Sequence, residues 1–156
     1  MGRVPPVSAL ESRGPEETRR LGEALGRAAE AGDVILLSGE LGAGKTVFVQ
    51  GIARGLGFEG PVSSKSFVLL GEYAGRLTLY HADLYRLDSP DEVEDLALEE
   101  ISGEGVLVVE WPERGDTVLP GERLTLRLEV TGPDTRRITA TATGARALAL
   151  AEALGG

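Results

Sequence analysis

Residues 34–57 read Val34-Ile-Leu-Leu-Ser-Gly39-Glu-Leu-Gly-Ala-Gly44-Lys45-Thr46-Val-Phe-Val-Gln50-Gly-Ile-Ala-Arg-Gly-Leu-Gly57. The unbroken apolar run Val34 to Leu37 predicts a strand covered on both faces, as in a parallel sheet. Gly39 to Gly44 then predict a loop, and a helix follows from about Lys45 to Leu56, closed by Gly57. The stretch from Gly39 to Thr46 satisfies G-x-x-x-x-G-K-[ST], the phosphate-binding loop, in its proper place between a strand and a helix. Glycines let the backbone fold into a concave nest of N–H donors, and the helix aims its positive end at the same anion. Lys45 is placed to reach β- and γ-phosphates, and the Thr46 hydroxyl to ligate Mg²⁺. The expected nucleotide contacts are Gly39, Glu40, Leu41, Gly42, Ala43, Gly44, Lys45, Thr46 and Val47.

Outward from this stretch the chain continues as α/β. Residues 4–11 predict a short edge strand, weakened by two prolines. Gly14-Pro15-Glu16-Glu17 opens a helix, with Leu21, Ala24, Leu25 and Ala28 at three-to-four spacing and Gly32 at its end. Downstream, residues 66–73 and 76–81 predict strands joined by a turn at Ala74-Gly75. A short helix opens at Ser89-Pro90 and carries acids to Glu100. Val106 to Val109 is a second buried strand ending on Glu110. Leu124, Leu126, Leu128 and Val130, and after a Gly132-Pro133-Asp134 turn Ile138, Ala140 and Ala142, alternate with polar residues. That pattern predicts an antiparallel hairpin with one buried face. A last Ala/Leu helix spans 145–154. The expected architecture is a single domain over residues 1–156: an α/β, P-loop NTPase-like mixed sheet with a parallel centre, an antiparallel C-terminal hairpin and helices on both faces.

A phosphate loop needs a carboxylate near the metal, usually at the end of a neighbouring buried strand. Glu110 fits that position, and Asp83 is the other candidate. Either one can hold Mg²⁺, directly or through water, or orient the attacking water; spacing alone leaves both roles open. Lys45, Asp83 and Glu110 are therefore the expected catalytic residues, and Thr46, Asp83 and Glu110 the expected metal ligands. The plainer alternatives are a solvent-facing strand-end carboxylate for Glu110, a packed or hydrogen-bonded strand residue for His81, and core filling for Trp111. The acids from Asp91 to Glu100 make either a solvated helix face or a partner surface.

Composition narrows the function. The formal net charge of −9 repels phosphate backbones, so tight direct binding to nucleic acid is not expected. The chain has no cysteine, hence no disulfide framework and no sulfur-based zinc site. No apolar run approaches the roughly 18 residues of a membrane helix. The N-terminus lacks the apolar core of a signal peptide, so a cytoplasmic location is expected. With no asparagine and a single glutamine, Gln50, the chain is poor in heat-labile side chains, which fits a heat-adapted source.

Three segments together, Gly39-Glu-Leu-Gly-Ala-Gly-Lys-Thr46, His81-Ala-Asp-Leu-Tyr-Arg86 and Val109-Glu-Trp-Pro-Glu-Arg114, resemble the TsaE family, also called YjeE. The resemblance extends from the Thr18 helix to the C-terminal hairpin. It implies a bacterial ATPase, with ATP and Mg²⁺ as cofactors, that supports formation of N6-threonylcarbamoyladenosine at position 37 of certain tRNAs. It implies work alongside the TsaB–TsaD pair, which performs the transfer, with tRNA met only indirectly. Where the family commonly has Ser-Pro-Thr and an aromatic residue, this chain has Ser64-Lys65-Ser66-Phe67. Ser66 keeps a hydroxyl for a switch-like contact, while Lys65 removes proline's restriction. Tyr85, Arg86 and Trp111 are expected near the mouth of the nucleotide site, as a partner face.

Three rivals compete. A small-molecule kinase needs an acceptor segment and usually an arginine-rich lid; the stretch from Tyr85 to Glu100 is acidic, and the hairpin near Arg136 and Arg137 is short. A regulatory GTPase needs an asparagine in its guanine-reading motif, and the chain has none. A pure interaction module would bind ATP without turnover.

Overall fold

Val34–Ser38 forms strand β2, buried from Val34 to Leu37 as its apolar run predicts. The computed structural model describes residues 8–40, 42–62, 70–85, 87, 89–94 and 97–155. Around β2, in chain order, lie β1 (Ser8–Ser12), α1 (Pro15–Ala28), α2 (Lys45–Gly55), β3 (Leu70–Tyr73) and β4 (Leu79–Asp83). Then come α3 (Pro90–Glu94), α4 (Leu98–Ile101), β5 (Val106–Glu110), two 3₁₀ turns (Pro112–Arg114 and Asp116–Val118), β6 (Arg123–Val130), β7 (Arg136–Thr143) and α5 (Ala145–Gly155).

The described strands form one seven-stranded sheet in the order β1-β7-β6-β2-β5-β4-β3. Pairings β6–β2, β2–β5 and β5–β4 are parallel, whereas β1–β7, β7–β6 and β4–β3 are antiparallel. This is the expected mixed sheet with a parallel centre. Alternation along the central strands sorts their side chains to two layers. Ile35, Leu37, Val108, Leu126 and Leu128 pack under α1, α2 and α5 with Leu25, Phe48, Ile52 and Leu150. On the other face Val34, Leu36, Leu107 and Val109 meet Leu84, Val93, Leu98 and Leu119 from the loops and short helical turns.

Two glycine pairs set the approach of α1 to α2. A Cβ on Gly22 would lie 2.3 Å from the Phe48 carbonyl oxygen, and one on Gly51 2.2 Å from that of Arg19; Gly26 and Gly55 meet the facing backbone at 2.3 Å. The helix that begins at the phosphate loop is thus held by backbone against backbone. Its far end closes on Gly57 at φ 93°, with Gly57 N–H donating to Arg54 O and Phe58 N–H to Ala53 O. That pair of hydrogen bonds is the left-handed glycine cap, at the glycine expected from the sequence to close the helix.

Some boundaries differ from expectation. Helix α1 ends at Ala28, and Ala29 is already extended, ahead of Gly32. Strand β4 starts at Leu79, not residue 76, because the Arg76 guanidinium caps the end of α1 on the carbonyls of Gly26 and Ala29, both at 2.9 Å. The acidic helix is two separate turns, α3 and α4, and the second opens on Ala97 in a left-handed conformation at φ 51°. The strand predicted from residue 66 falls outside the described residues until Leu70. No helix among the described residues is long and apolar enough to cross a membrane.

Candidate functional site

The loop between β2 and α2 is shaped by glycines, with φ of 144° at Gly39, 82° at Gly42 and 97° at Gly44. Gly39 is also a close approach: a Cβ there would lie 2.5 Å from the Leu128 carbonyl oxygen of β6. Helix α2 opens with Phe48 N–H donating to Gly44 O at 3.0 Å. The N–H groups of Lys45, Thr46 and Val47 thus precede the first helical hydrogen bond and stand at the positive end of the helix dipole. That is the arrangement in which backbone donors converge on an anion.

Register brings the carboxylates to the same place. Leu37 of β2 pairs with Glu110 of β5, and Glu110 pairs with Asp83 of β4, so both acids end strands that run parallel to β2. The two lie on the face that packs against α2, because their neighbours two residues back, Val108 and His81, alternate with Val109 and Ala82 of the opposite layer. Ligands of open α/β sheets bind beyond the carboxyl ends of the strands. The Asp83 Oδ1 accepts from the Tyr85 backbone N–H at 3.0 Å, which fixes that carboxylate. Glu110 is 3% exposed, and its Oε2 lies 2.6 Å from His81 Nε2.

Lys45 is 5% exposed. Its Nζ donates to the Gly39 carbonyl at 2.6 Å and stands 3.8 Å from the centre of the Trp111 ring. Burial pulls the ammonium below the ordinary lysine pKa, and the charges of Glu110, Asp83 and Glu113 oppose that only in part. Trp111 reaches this position from a left-handed backbone at φ 58°, uncommon for a bulky residue and of the kind that clusters at functional sites. Its ring packs against Tyr85 at 4.9 Å between centres.

The family described as "Threonylcarbamoyl adenosine biosynthesis protein TsaE" matches residues 12–138. The chain belongs to the TsaE family. A Treponema pallidum protein named "tRNA threonylcarbamoyladenosine biosynthesis protein TsaE" is 46% identical over 129 residues, covering 82% of this chain and 96% of that one. A Bacillus subtilis protein of the same name is 46% identical over 142 residues, 90% of this chain and 89% of the relative. The crystal structure of Bacillus subtilis YdiB superposes with a TM-score of 0.79 at 38% identity, covering 99% of this chain and 97% of that one. This TsaE-family fold is therefore shared over the whole sheet.

Of the residues singled out from sequence, Gly39, Glu40, the loop from Gly42 to Thr46, Asp83, Glu110, Tyr85 and Trp111 come together at the carboxyl end of the parallel strands. Leu41, Ser66 and Arg86 fall outside the described residues. Trp111 is half-buried against the second core layer, in keeping with the core reading, and its ring also covers Lys45 beside the phosphate loop. His81 is buried and hydrogen-bonded, as the plainer reading anticipated, but its partner was not foreseen. The available signal was its spacing: two residues before Asp83 on one strand, it shares that residue's face. Glu113, whose charge acts on Lys45, was legible only as part of the Trp-Pro-Glu motif.

Proposed function

We propose that this TsaE-family chain is a Mg²⁺-dependent ATPase serving threonylcarbamoyladenosine formation on tRNA in the cytoplasm, as a single domain working with the TsaB–TsaD pair. The observation that carries the proposal is the meeting of a phosphate loop bearing Lys45 and Thr46 with Asp83 and Glu110 at neighbouring strand ends. The pathway is taken from the names of the relatives, and the two partners from the family resemblance. Adenine is expected over guanine because the chain lacks the asparagine of the usual guanine-reading motif.

The donor set suits the metal. Thr46, Asp83 and Glu110 offer oxygen, which a hard cation prefers, and Mg²⁺ keeps several waters and binds through few protein groups plus phosphates. Mg²⁺, when bound, neutralises charge on the triphosphate oxygens. The protein's own groups do the rest. Lys45 and the loop amides hold the β- and γ-phosphates, and a carboxylate free of the metal orients water for attack on the γ-phosphorus. The bond from that phosphorus to the bridging oxygen breaks, ADP leaves, and the water's proton passes to the carboxylate. His81 holds Glu110 in one orientation from behind.

Glu110→Gln and Asp83→Asn each keep the shape and remove a carboxylate. Each variant is expected to lower ATP turnover, measured in the presence of TsaB and TsaD, about a hundredfold or more. A variant that turns over at the parent rate assigns its residue a structural role. On the partner side, Tyr85 is 43% exposed beside Trp111, so an anchor surface adjoins the site. Tyr85→Ala is expected to weaken assembly with TsaB–TsaD about tenfold in a pull-down titration while the free protein keeps its ATP affinity. Unchanged assembly would move the contact elsewhere.

A further inference from the structure

The apex of the phosphate loop is gripped from a distant part of the chain. Arg136, at the start of β7, donates from its Nη2 to the carbonyl oxygen of Gly42 at 3.2 Å. Its Nη1 donates to Thr135 O at 2.9 Å and Gly132 O at 3.3 Å, so the guanidinium bridges the β6–β7 turn and the loop. The pedestal is stiff. Arg136 pairs with Val130 on one side and Ser12 on the other, and Thr131 closes the turn on Thr135 through both backbone and hydroxyl.

A trans peptide is planar, with its C=O and N–H on opposite sides. In the peptide joining Gly42 to Ala43, the carbonyl is held by Arg136 and the N–H donates to Glu40 O at 3.1 Å. Both ends of one rigid plane are therefore fixed. This matters because Gly42, at φ 82° and with open space where a Cβ would stand, has no side chain to oppose rotation. A turned plane would present a carbonyl oxygen, the negative end of the dipole, toward a bound anion.

We propose that Arg136 is a positioning residue of the nucleotide site: from the β6–β7 turn it pins the Gly42 carbonyl, and so holds the loop with the amides of Gly44 to Val47 aimed at the phosphates. The proposal rests on the nucleotide reading of the loop and adds the hairpin as a determinant of affinity. The short hairpin then acts on the loop from outside, rather than as a lid over the transferred phosphate.

The test compares Arg136→Met, Arg136→Lys and Arg137→Met with the parent. Arg137 is exposed on the same hairpin, so its variant removes the same charge without the contact. Loss of a charge-assisted hydrogen bond predicts an ATP·Mg²⁺ Kd about tenfold higher in Arg136→Met by calorimetry, partial recovery in Arg136→Lys, and no change in Arg137→Met. Without nucleotide, the Ala43 amide, which donates to Glu40 O, is expected to exchange hydrogen about tenfold faster in Arg136→Met, while the melting temperature stays near that of the parent. Parent-like Kd and exchange in Arg136→Met overturn the proposal. Equal weakening in Arg137→Met also overturns it, because net charge then accounts for the effect. A parent protein that binds no ATP·Mg²⁺ overturns the nucleotide reading and the positioning role together.

Discussion

Lys45→Ala is expected to abolish measurable ATP·Mg²⁺ binding, a rise in Kd of about a hundredfold or more, while the fold persists. Lys45 contributes a charge at the point where the backbone amides converge, in a buried setting where water screens it little. The fold is expected to survive because desolvation of the buried ammonium offsets what its contacts with Gly39 O and Trp111 contribute to the free protein. Its pKa is lowered by burial, against the partial opposition of Glu110, Asp83 and Glu113. The sign follows from proton counting. Between the lowered folded value and the unfolded lysine value, the unfolded chain binds the proton that the folded chain has released, so stability rises with pH across that window. Below the window the protonated lysine weighs against folding, and removing it relieves that burden. Calorimetry and thermal melts at neutral pH check both halves. Unchanged affinity sinks the phosphate-nest reading, and a collapse of the melting temperature shows that Lys45 supports the fold. A related outcome concerns the parent itself: ATP affinity should fall with rising pH earlier than an ordinary lysine would dictate.

Gly51→Ala is expected to destabilise the protein by about 3 kcal/mol, a drop of about 10 °C in melting temperature. The added methyl carbon would sit 2.2 Å from the Arg19 carbonyl oxygen and 3.0 Å from Gly22 Cα. Both are backbone atoms of α1, so no side chain can swing aside and the helices must separate. Separation loosens the packing of α1 and α2 on the sheet around Leu25, Phe48 and Ile52. Since α2 carries Lys45 and Thr46 in its first turn, ATP affinity should fall along with stability. Gly121→Ala is the control: no atom lies within 4 Å of its Cβ position, and its effect should stay within about 0.5 kcal/mol. A melt of Gly51→Ala that matches the parent would mean the helices have room to move apart.

Much of the site was legible because its parts are local. Strand, loop and helix from Val34 to Gly57 are contiguous, and the motif's residue types and spacing depend on backbone conformation alone. The two carboxylates could be nominated from the strands they end, since buried parallel strands announce themselves as apolar runs. Their division of labour stayed open, and the His81–Glu110 bond that bears on it joins residues 29 apart. The boundaries that missed lie where local pattern is weak. Arg76 capping α1 delays β4 through a contact between distant segments, and the left-handed backbone at Ala97 starts a second helical turn; neither is carried by the propensities of the segments themselves.

The sequence by itself determined the element order, the phosphate loop and the candidate carboxylates, because hydrophobic period and turn chemistry are encoded over short stretches. Tertiary structure alone decided which strand ends stand together, that Trp111 covers Lys45, that glycine faces glycine between α1 and α2, and that Arg136 reaches Gly42 across 94 residues of chain. Those contacts follow from the packing of helices and loops on the assembled sheet, and periodicity within one segment carries no record of which side chain from another segment will meet it.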